Sequence, residues 1–246
     1  MNITNKTILV TGGGSGIGYE IAKLLKQQGN TVIIAGRNAD KIKKAGEKLG
    51  ITAIACDVTR EADIEKLVTR IQQEYPALSV LVNNAGVANL YKLGEQAGAF
   101  QKAKQEFEVN YFAPLLLTEK LLPVLSQQPE AAIVNITSNV TFHPLILLPT
   151  YSDAKAALHS HTVALRHTLG KNSSIKVFEV MPSLVNTEAT KDMGGSNGMH
   201  PQVVAEALLK GMQTDQYEIY VGATAQQRAD YFANPVAAIE NFNAGL

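Results

Sequence analysis

Apolar residues recur along the chain in two rhythms. Short, nearly unbroken β-branched runs predict strands at Thr7–Val10, Thr31–Ala35, Ala53–Cys56, Val80–Asn83, Ala131–Thr137, Lys176–Met181 and Glu218–Val221. Such continuous runs suit a parallel sheet covered on both faces. Longer stretches of helical period fall at Ile17–Gln28, Ala39–Leu49, Glu61–Glu74, Lys102–Ser126, Asp153–Leu169 and Pro201–Met212. Local chemistry marks the boundaries. Gly29-Asn30 stops the first helix, Thr59 is placed to cap the third, and Pro201 suits a first turn. Pro114 and Pro123 should bend or split the fourth. Strands and helices alternate without a linker or repeat. The expectation is a single doubly wound α/β domain of Rossmann type over residues 1–246, with a seven-stranded parallel sheet and helices on both faces.

Composition narrows the field of partners. Lys plus Arg and Asp plus Glu are both 22 in the 246 residues, so the formal net charge is zero. A nucleic-acid or anionic-membrane binder usually carries a basic excess, and neither partner is expected. Cys56 is the single cysteine, which leaves no intramolecular disulfide and no cysteine-based zinc site. The apolar run Leu145–Leu148 is closed by Pro149, far short of a membrane span. No charged head followed by an apolar core opens the chain. These features predict a cytoplasmic protein.

Chemistry enters at the first strand–helix junction, Thr11-Gly12-Gly13-Gly14-Ser15-Gly16-Ile17-Gly18. Glycines there allow a tight turn and let a pyrophosphate approach the main chain. The amides and positive dipole of a helix N-terminus then face the phosphates. At the end of the second strand, Ala35-Gly36-Arg37-Asn38 holds no acid to bond ribose hydroxyls. Arg37 is instead placed to pair with a 2′-phosphate, which favours NADP over NAD.

The spacing T-G-x-x-x-G-x-G resembles the glycine motif of the short-chain dehydrogenase/reductase superfamily in its compact form. Asn83-Asn84-Ala85-Gly86 after the fourth strand resembles that family's N-N-A-G signature. The resemblance implies cofactor contacts from Gly12, Ser15, Gly16, Ile17, Gly18, Arg37, Asn38, Asp57, Val58, Asn84, Ala85 and Gly86. In it, Asp57 and Val58 border the adenine ring; by itself Asp57 reads equally well as a turn or cap residue.

A Tyr-x-x-x-Lys pair says little alone, and the chain has two. Tyr19/Lys23 lies just behind the glycines and reads as helix surface or packing. Tyr151/Lys155 follows Ser138, which ends a strand and so faces the ligand crevice of a parallel sheet. Four residues apart, Tyr151 and Lys155 share a helical face. Ser138, Tyr151 and Lys155 resemble the family's catalytic centre, and Asn110 in Phe107-Glu-Val-Asn110 matches its fourth member. The chemistry the resemblance implies is that of an alcohol interconverting with a ketone or aldehyde. Hydride transfer builds charge on a carbonyl oxygen, and a phenol can hydrogen-bond that oxygen and supply the proton. A lysine cation nearby should lower the phenol's pKa. The resemblance further implies that Lys155 also holds the nicotinamide ribose, that Ser138 polarises the substrate oxygen and that Asn110 holds a water in the proton path. It extends to Pro182, Val185 and Thr187 after the sixth strand, with Ser183 in place of a usual glycine.

Gly29-Asn-Thr-Val-Ile-Ile, Gln128-Pro-Glu-Ala-Ala and Leu165-Arg-His resemble the bacterial branch named for the D-alanyl-lipoteichoic acid operon. Family resemblance implies a homodimer or homotetramer, and small residues along Asp153–Leu169 offer close packing for it. Gly194–Gly198 reads as a surface loop or as a flap over the substrate pocket, and its place after the sixth strand favours the flap. His159 and His161 are two apart and do not form a metal pair; His143 reads as pocket lining or as an ordinary loop residue. The competing readings are a nicotinamide-binding sensor on the same fold, disfavoured by the intact Tyr–Lys pair, and a nucleotide-free dehalogenase-like relative, disfavoured by the glycine loop.

Overall fold

Strand residues alternate between two buried faces, and this sets the architecture. Seven strands, β1 (Thr7–Thr11), β2 (Thr31–Gly36), β3 (Thr52–Ala55), β4 (Leu78–Asn83), β5 (Ala131–Ile136), β6 (Ile175–Pro182) and β7 (Glu218–Val221), pair in the order β3-β2-β1-β4-β5-β6-β7. Every pairing is parallel. The computed structural model describes residues 1–245. Ile8, Val10, Val32, Ile34, Val80, Val82, Val134 and Val180 point to one face. There they meet α1 (Gly16–Gln27), α2 (Ala39–Leu49) and α7 (Pro201–Gln213). Leu9, Ile33, Leu81, Ile133 and Val177 point to the other face, under α3 (Glu61–Glu74), α5 (Ala113–Leu125) and α6 (Pro149–Asn172). In the inner strands β2, β1, β4, β5 and β6 side chains on both faces are thus buried, which is why they read as unbroken apolar runs, while the edge strands β3 and β7 are only partly covered. The result is the single α/β domain expected. None of the helices is long and apolar enough to cross a membrane among the described residues.

Three local expectations are corrected, and the fourth helix is split ahead of Pro114 as expected. Arg60, not Thr59, is the N-cap of α3; Thr59 instead donates its amide and hydroxyl to Asp57 Oδ1, at 3.0 and 2.8 Å. The fourth predicted helix is divided into α4 (Ala99–Phe107), a π-helical turn at Glu108–Phe112, and α5. The break precedes Pro114, which sits in the first turn of α5, while Pro123 is accommodated inside it. Pro114 has no N–H to give to the Asn110 carbonyl four residues earlier, so the regular ladder fails there and the coil widens. The fifth predicted helix starts earlier, at Pro149, so Tyr151 lies in the first turn of α6. Two helices beyond β7 were not anticipated, α8 (Thr224–Ala233) and α9 (Pro235–Phe242). α8 buries only Thr224 and has little apolar pattern to betray it. α9 does have a start signal in Asn234-Pro235, where the Asn234 side chain accepts from Ala237 N at 3.2 Å.

The sheet centre carries a polar ladder. Asn83 Nδ2 donates to Asn135 Oδ1 at 2.9 Å, and Asn135 Nδ2 donates to Thr162 Oγ1 on α6 at 2.8 Å. All three residues are buried. The ladder fixes α6, and with it the helical Tyr–Lys pair, against β4 and β5. Asn135→Ala should cost about 2 kcal/mol, because it removes a buried hydrogen-bond partner from both Asn83 and Thr162; a urea midpoint indistinguishable from wild type would contradict this.

Candidate active site

Parallel strands aim all their carboxyl ends to one edge, and the order reverses between β1 and β4. A crevice opens there. In this chain it is a cleft of about 1050 Å³ that runs from Arg37 and Asp57, past the glycine loop, to Ser138, Tyr151 and the C-terminal Phe242.

At the first end, the glycines do specific steric work. Gly12 has φ +67°, and a Cβ added to it would lie 2.9 Å from Ala85 Cα. At Gly18 an added Cβ would lie 2.5 Å from the Gly12 carbonyl oxygen and 2.4 Å from Asn84 Nδ2. The loop is tied to the N-N-A-G segment through Thr11. Its hydroxyl accepts the amides of Asn84 and Ala85 at 3.0 and 3.1 Å, and Asn84 Nδ2 donates to Thr11 O at 2.9 Å. Ser15 makes no side-chain cap bond to α1, and no acid sits in that helix's first turn. The N-terminus of α1 therefore presents free amides and positive dipole to the cleft, a fit for a pyrophosphate.

Gly12, Ser15, Gly16, Ile17, Arg37, Asp57, Val58, Asn84, Ala85 and Gly86 all line the cleft. Gly18 and Asn38 do not. Gly18 is packed behind the loop, and Asn38 caps α2 by accepting from Lys41 N at 2.9 Å. Arg37 is exposed at the end of β2. Burial would raise the Asp57 carboxyl, but Thr59's two hydrogen bonds, with Arg37 and Arg60 beside it, hold it below its usual range. Asp57 is thus a charged turn residue that also borders the cleft, so both sequence readings of it are compatible with its position.

At the other end, Ser138, Tyr151 and Lys155 line one wall. Ser138 follows β5 and its hydroxyl donates to Asn139 Oδ1 at 3.0 Å. Lys155 is buried, and its ammonium donates to Ile136 O at 2.8 Å and stands 5.6 Å from the centre of the Tyr151 ring. Burial pulls Lys155 down to about 8, opposed by the negative charge of Glu179. The expected lowering of the Tyr151 phenol is not found. Burial pushes it up to about 12, a hydrogen bond with Ser138 acts against the rise, and the charge of Glu106 adds to it. The reason is desolvation: a phenolate in this wall gives up more hydration than its neighbours return.

Asn110 is fully buried in the π-helical turn and does not line the cleft. Its carboxamide holds the backbone of Val87 from both sides, accepting from Val87 N at 3.1 Å and donating to Val87 O at 2.8 Å. It lies directly behind Gly86, where an added Cβ would meet Asn110 Oδ1 at 3.0 Å and Lys155 Nζ at 3.9 Å.

Two fully buried acids behind the site escaped sequence reasoning. Glu106 accepts from Asn89 N at 2.7 Å and from the Thr150 hydroxyl, next to Tyr151. Glu179 on β6 accepts from Thr137 Oγ1 at 2.7 Å and pairs with His159 Nδ1 at 3.0 Å, one turn beyond Lys155. A signal existed for each: Glu106 is one turn before Asn110, and Glu179 interrupts an apolar strand run.

After β6, Pro182, Val185 and Thr187 line the cleft. Thr187 reaches the glycine loop, since a Cβ on Gly16 would lie 3.0 Å from its methyl carbon. Ser183 needs no glycine conformation; its hydroxyl accepts from Ala223 N at 3.3 Å and ties β6 to the start of α8. The segment beyond Thr187 lies over the cleft, contributing Thr190, Met193, Asn197 and Met199. Of the remaining candidates, Lys23 pairs with Glu20, and Tyr19 packs against the core, as the packing reading of that pair implies. His143 is buried behind Phe242, stacked at 4.3 Å, and does not line the cleft. His161 faces Tyr111 edge-on at 6.3 Å.

This geometry meets its relatives in sequence and fold. The short chain dehydrogenase family model matches residues 6–197. The chain is 38% identical over 241 residues to the uncharacterized oxidoreductase DltE of Bacillus subtilis (strain 168), covering 94% of this chain and 95% of that protein. It is 32% identical over 212 residues to an uncharacterized oxidoreductase of Staphylococcus aureus (strain MRSA252), with 84% and 90% covered. A short chain dehydrogenase from Burkholderia cenocepacia J2315, solved in complex with NADP, superposes with TM-score 0.86 at 24% identity over 100% of both chains. One from Burkholderia phymatum, solved with NAD, superposes with TM-score 0.86 at 19% identity over 95% and 96%. The chain therefore belongs to the short-chain dehydrogenase/reductase family of oxidoreductases, on the DltE-like branch.

The His159–Glu179 pair makes a testable contribution to stability. The hydrogen bond to Glu179 raises the His159 pKa above its ordinary value, against desolvation. A group raised on folding stabilises fully below its unfolded pKa, and the contribution fades as pH climbs through the folded value. His159→Gln should therefore lose more stability in urea at pH 6 than at pH 9; equal losses would mean that the pair is not charged in the folded protein.

Proposed function

We propose that the chain is an NADP-dependent oxidoreductase that interconverts an alcohol and a ketone or aldehyde, with Tyr151 as the general acid/base. The observation that carries this reading is the convergence of Ser138, Tyr151 and Lys155 on one wall of a cleft that continues to the glycine loop. One domain then serves both nucleotide binding and catalysis. The nicotinamide, when bound, supplies or accepts the hydride. The chain's own residues do the rest. Ser138 orients the substrate oxygen and Tyr151 gives it a proton. Lys155, anchored on Ile136 O, provides positive charge beside the phenol and holds the nicotinamide ribose. Asn110 acts through Val87 and Gly86 as a positioning residue. Its main-chain carbonyl, which Pro114 cannot satisfy, is where a water of the proton path would be held.

The protonation states favour reduction. With the phenol held at about 12 and the lysine at about 8, Tyr151 is neutral and Lys155 charged at pH 7. That is the state that donates a proton to a developing alkoxide. Free amides at α1, Gly12 shaped for close approach, and exposed Arg37 support NADP as the cofactor, with the guanidinium taking the 2′-phosphate. Gly18 and Asn38 support the site from behind rather than by contact. Phe112 and Val163 are 48% and 37% exposed on the helical surface made by the π-turn and α6, which supports self-association there as a homodimer or homotetramer. The buried free Cys56 is consistent with a cytoplasmic setting.

Three measurements test this. Tyr151→Phe should lower turnover of any accepted carbonyl by about 10²- to 10⁴-fold while NADPH binding persists; retained turnover would remove Tyr151 from its role. Arg37→Ala should weaken NADPH binding about tenfold or more and leave NADH binding nearly as it was. Equal losses for both nucleotides would overturn the 2′-phosphate assignment. The value of kcat/KM for reduction should fall as pH rises through about 8, where Lys155 loses its proton; a profile flat to pH 10 would contradict a charged Lys155.

A further inference from the structure

The half of the cleft beyond Tyr151 is walled by side chains that no catalytic role uses. Leu90, Val140, Leu145, Leu184, Met199 and Phe242 line it, drawn from five separate segments. Leu90 and Leu184 are 45% and 39% exposed, large apolar groups left facing the cleft with nothing to cover them. Among the described residues Lys155 is the single positively charged side chain lining this half, and its ammonium is committed to Ile136 O behind the catalytic tyrosine. On the overlying segment Glu188 and Asp192 line the cleft; Glu188 is paired with Lys41 and has Lys191 beside it. A carboxylate, phosphate or other anionic substrate group would therefore lose hydration without gaining a partner in this half.

The far wall is built rather than incidental. Phe242 ends α9 and stacks on buried His143 at 4.3 Å between ring centres. Next to it, Asn243 accepts from Ile146 N at 2.8 Å and donates to Pro144 O at 3.1 Å. These contacts clasp the C-terminal helix to the 143–146 loop and hold the phenyl ring in the cleft. Polar lining comes from Asn139, Ser183 and Gln227; Gln227 Oε1 on α8 accepts from Asn139 Nδ2 at 3.0 Å, and Asn139 in turn accepts from Ser138.

We propose that this half-cleft selects an uncharged, predominantly apolar ketone or aldehyde, and that Phe242 is its specificity-determining residue. The inference rests on the oxidoreductase reading given above. The carbonyl lies at Ser138 and Tyr151, and the hydrocarbon portion extends along Val140, Leu184 and Met199 to the Phe242 ring. Burial of each further methylene should raise kcat/KM about fourfold until the wall is reached.

The test pairs NADPH binding, followed by cofactor fluorescence, with NADPH oxidation on neutral 2-alkanones and alkanals of four to eight carbons. Matched keto acids, with a carboxylate at the distal end, form the second series. The expected result is bound NADPH, kcat/KM rising with chain length in the neutral series, and at least a tenfold preference for each neutral compound over its acid. Phe242→Ala should reduce the eight-carbon to four-carbon preference about tenfold, with NADPH affinity retained. Bound NADPH with a flat neutral series, with keto acids preferred, or with no neutral compound turned over would overturn the substrate assignment while leaving the oxidoreductase reading in place. Failure of folded protein to bind any nicotinamide nucleotide would overturn both.

Discussion

The site depends on one junction, where the sheet reverses its strand order between β1 and β4. Thr11 holds it together: a single hydroxyl takes two amides from the Asn84–Ala85 turn, while Asn84 returns a bond to the Thr11 carbonyl. This couples the glycine loop to the segment that leads to Gly86 and Val87. Because Gly86 lies against both Asn110 and Lys155, the phosphate-facing end and the reactive end are positioned by one continuous set of contacts. Little room exists for either to shift alone. The glycines at 12 and 18 are the steric condition for that junction, since side chains there would collide with the opposite turn.

A second theme is the burial of charge. Lys155, Glu106 and Glu179 all lie inside the protein around one largely buried tyrosine. Each is compensated by hydrogen bonds drawn from a different element: Ile136 O for the lysine, Asn89 and Thr150 for one acid, Thr137 and His159 for the other. Such networks stabilise little in net terms, because desolvation offsets most of what pairing returns. Their effect here is directional. Burial raises the phenol and lowers the ammonium, so the resting wall combines a neutral acid with a cation at neutral pH.

The C-terminal helices show how a general fold acquires a particular pocket. Strands β1 to β6 and the loops that follow β1 through β5 lie within the residues that match the family model. Phe242 and Gln227 arrive from α9 and α8, beyond the last strand and beyond the residues that match the family model. The proposed selection among substrates therefore falls on helices outside the nucleotide motif.

The amino-acid sequence alone determined the seven strands, the parallel doubly wound class, and the convergence of Ser138 with the Tyr151–Lys155 pair. Each follows from local information: unbroken apolar runs, glycines between a strand and a helix, and a four-residue helical spacing. It also distinguished the two Tyr–Lys pairs, since a strand end lies upstream of only one. What it could not determine was set by contacts between distant segments. The direction of the Tyr151 shift depends on burial in the folded wall with Ser138 and Glu106 beside it, and no residue type announces that. Asn38 and Gly18 match the nucleotide motif yet face away from the cleft, because capping and close packing use them first. Glu179 becomes a partner of His159 only when β6 lies under α6. The apolar far wall exists only because Asn243 finds the 143–146 loop about a hundred residues earlier in the chain, a pairing that tertiary closure creates and local propensity cannot encode.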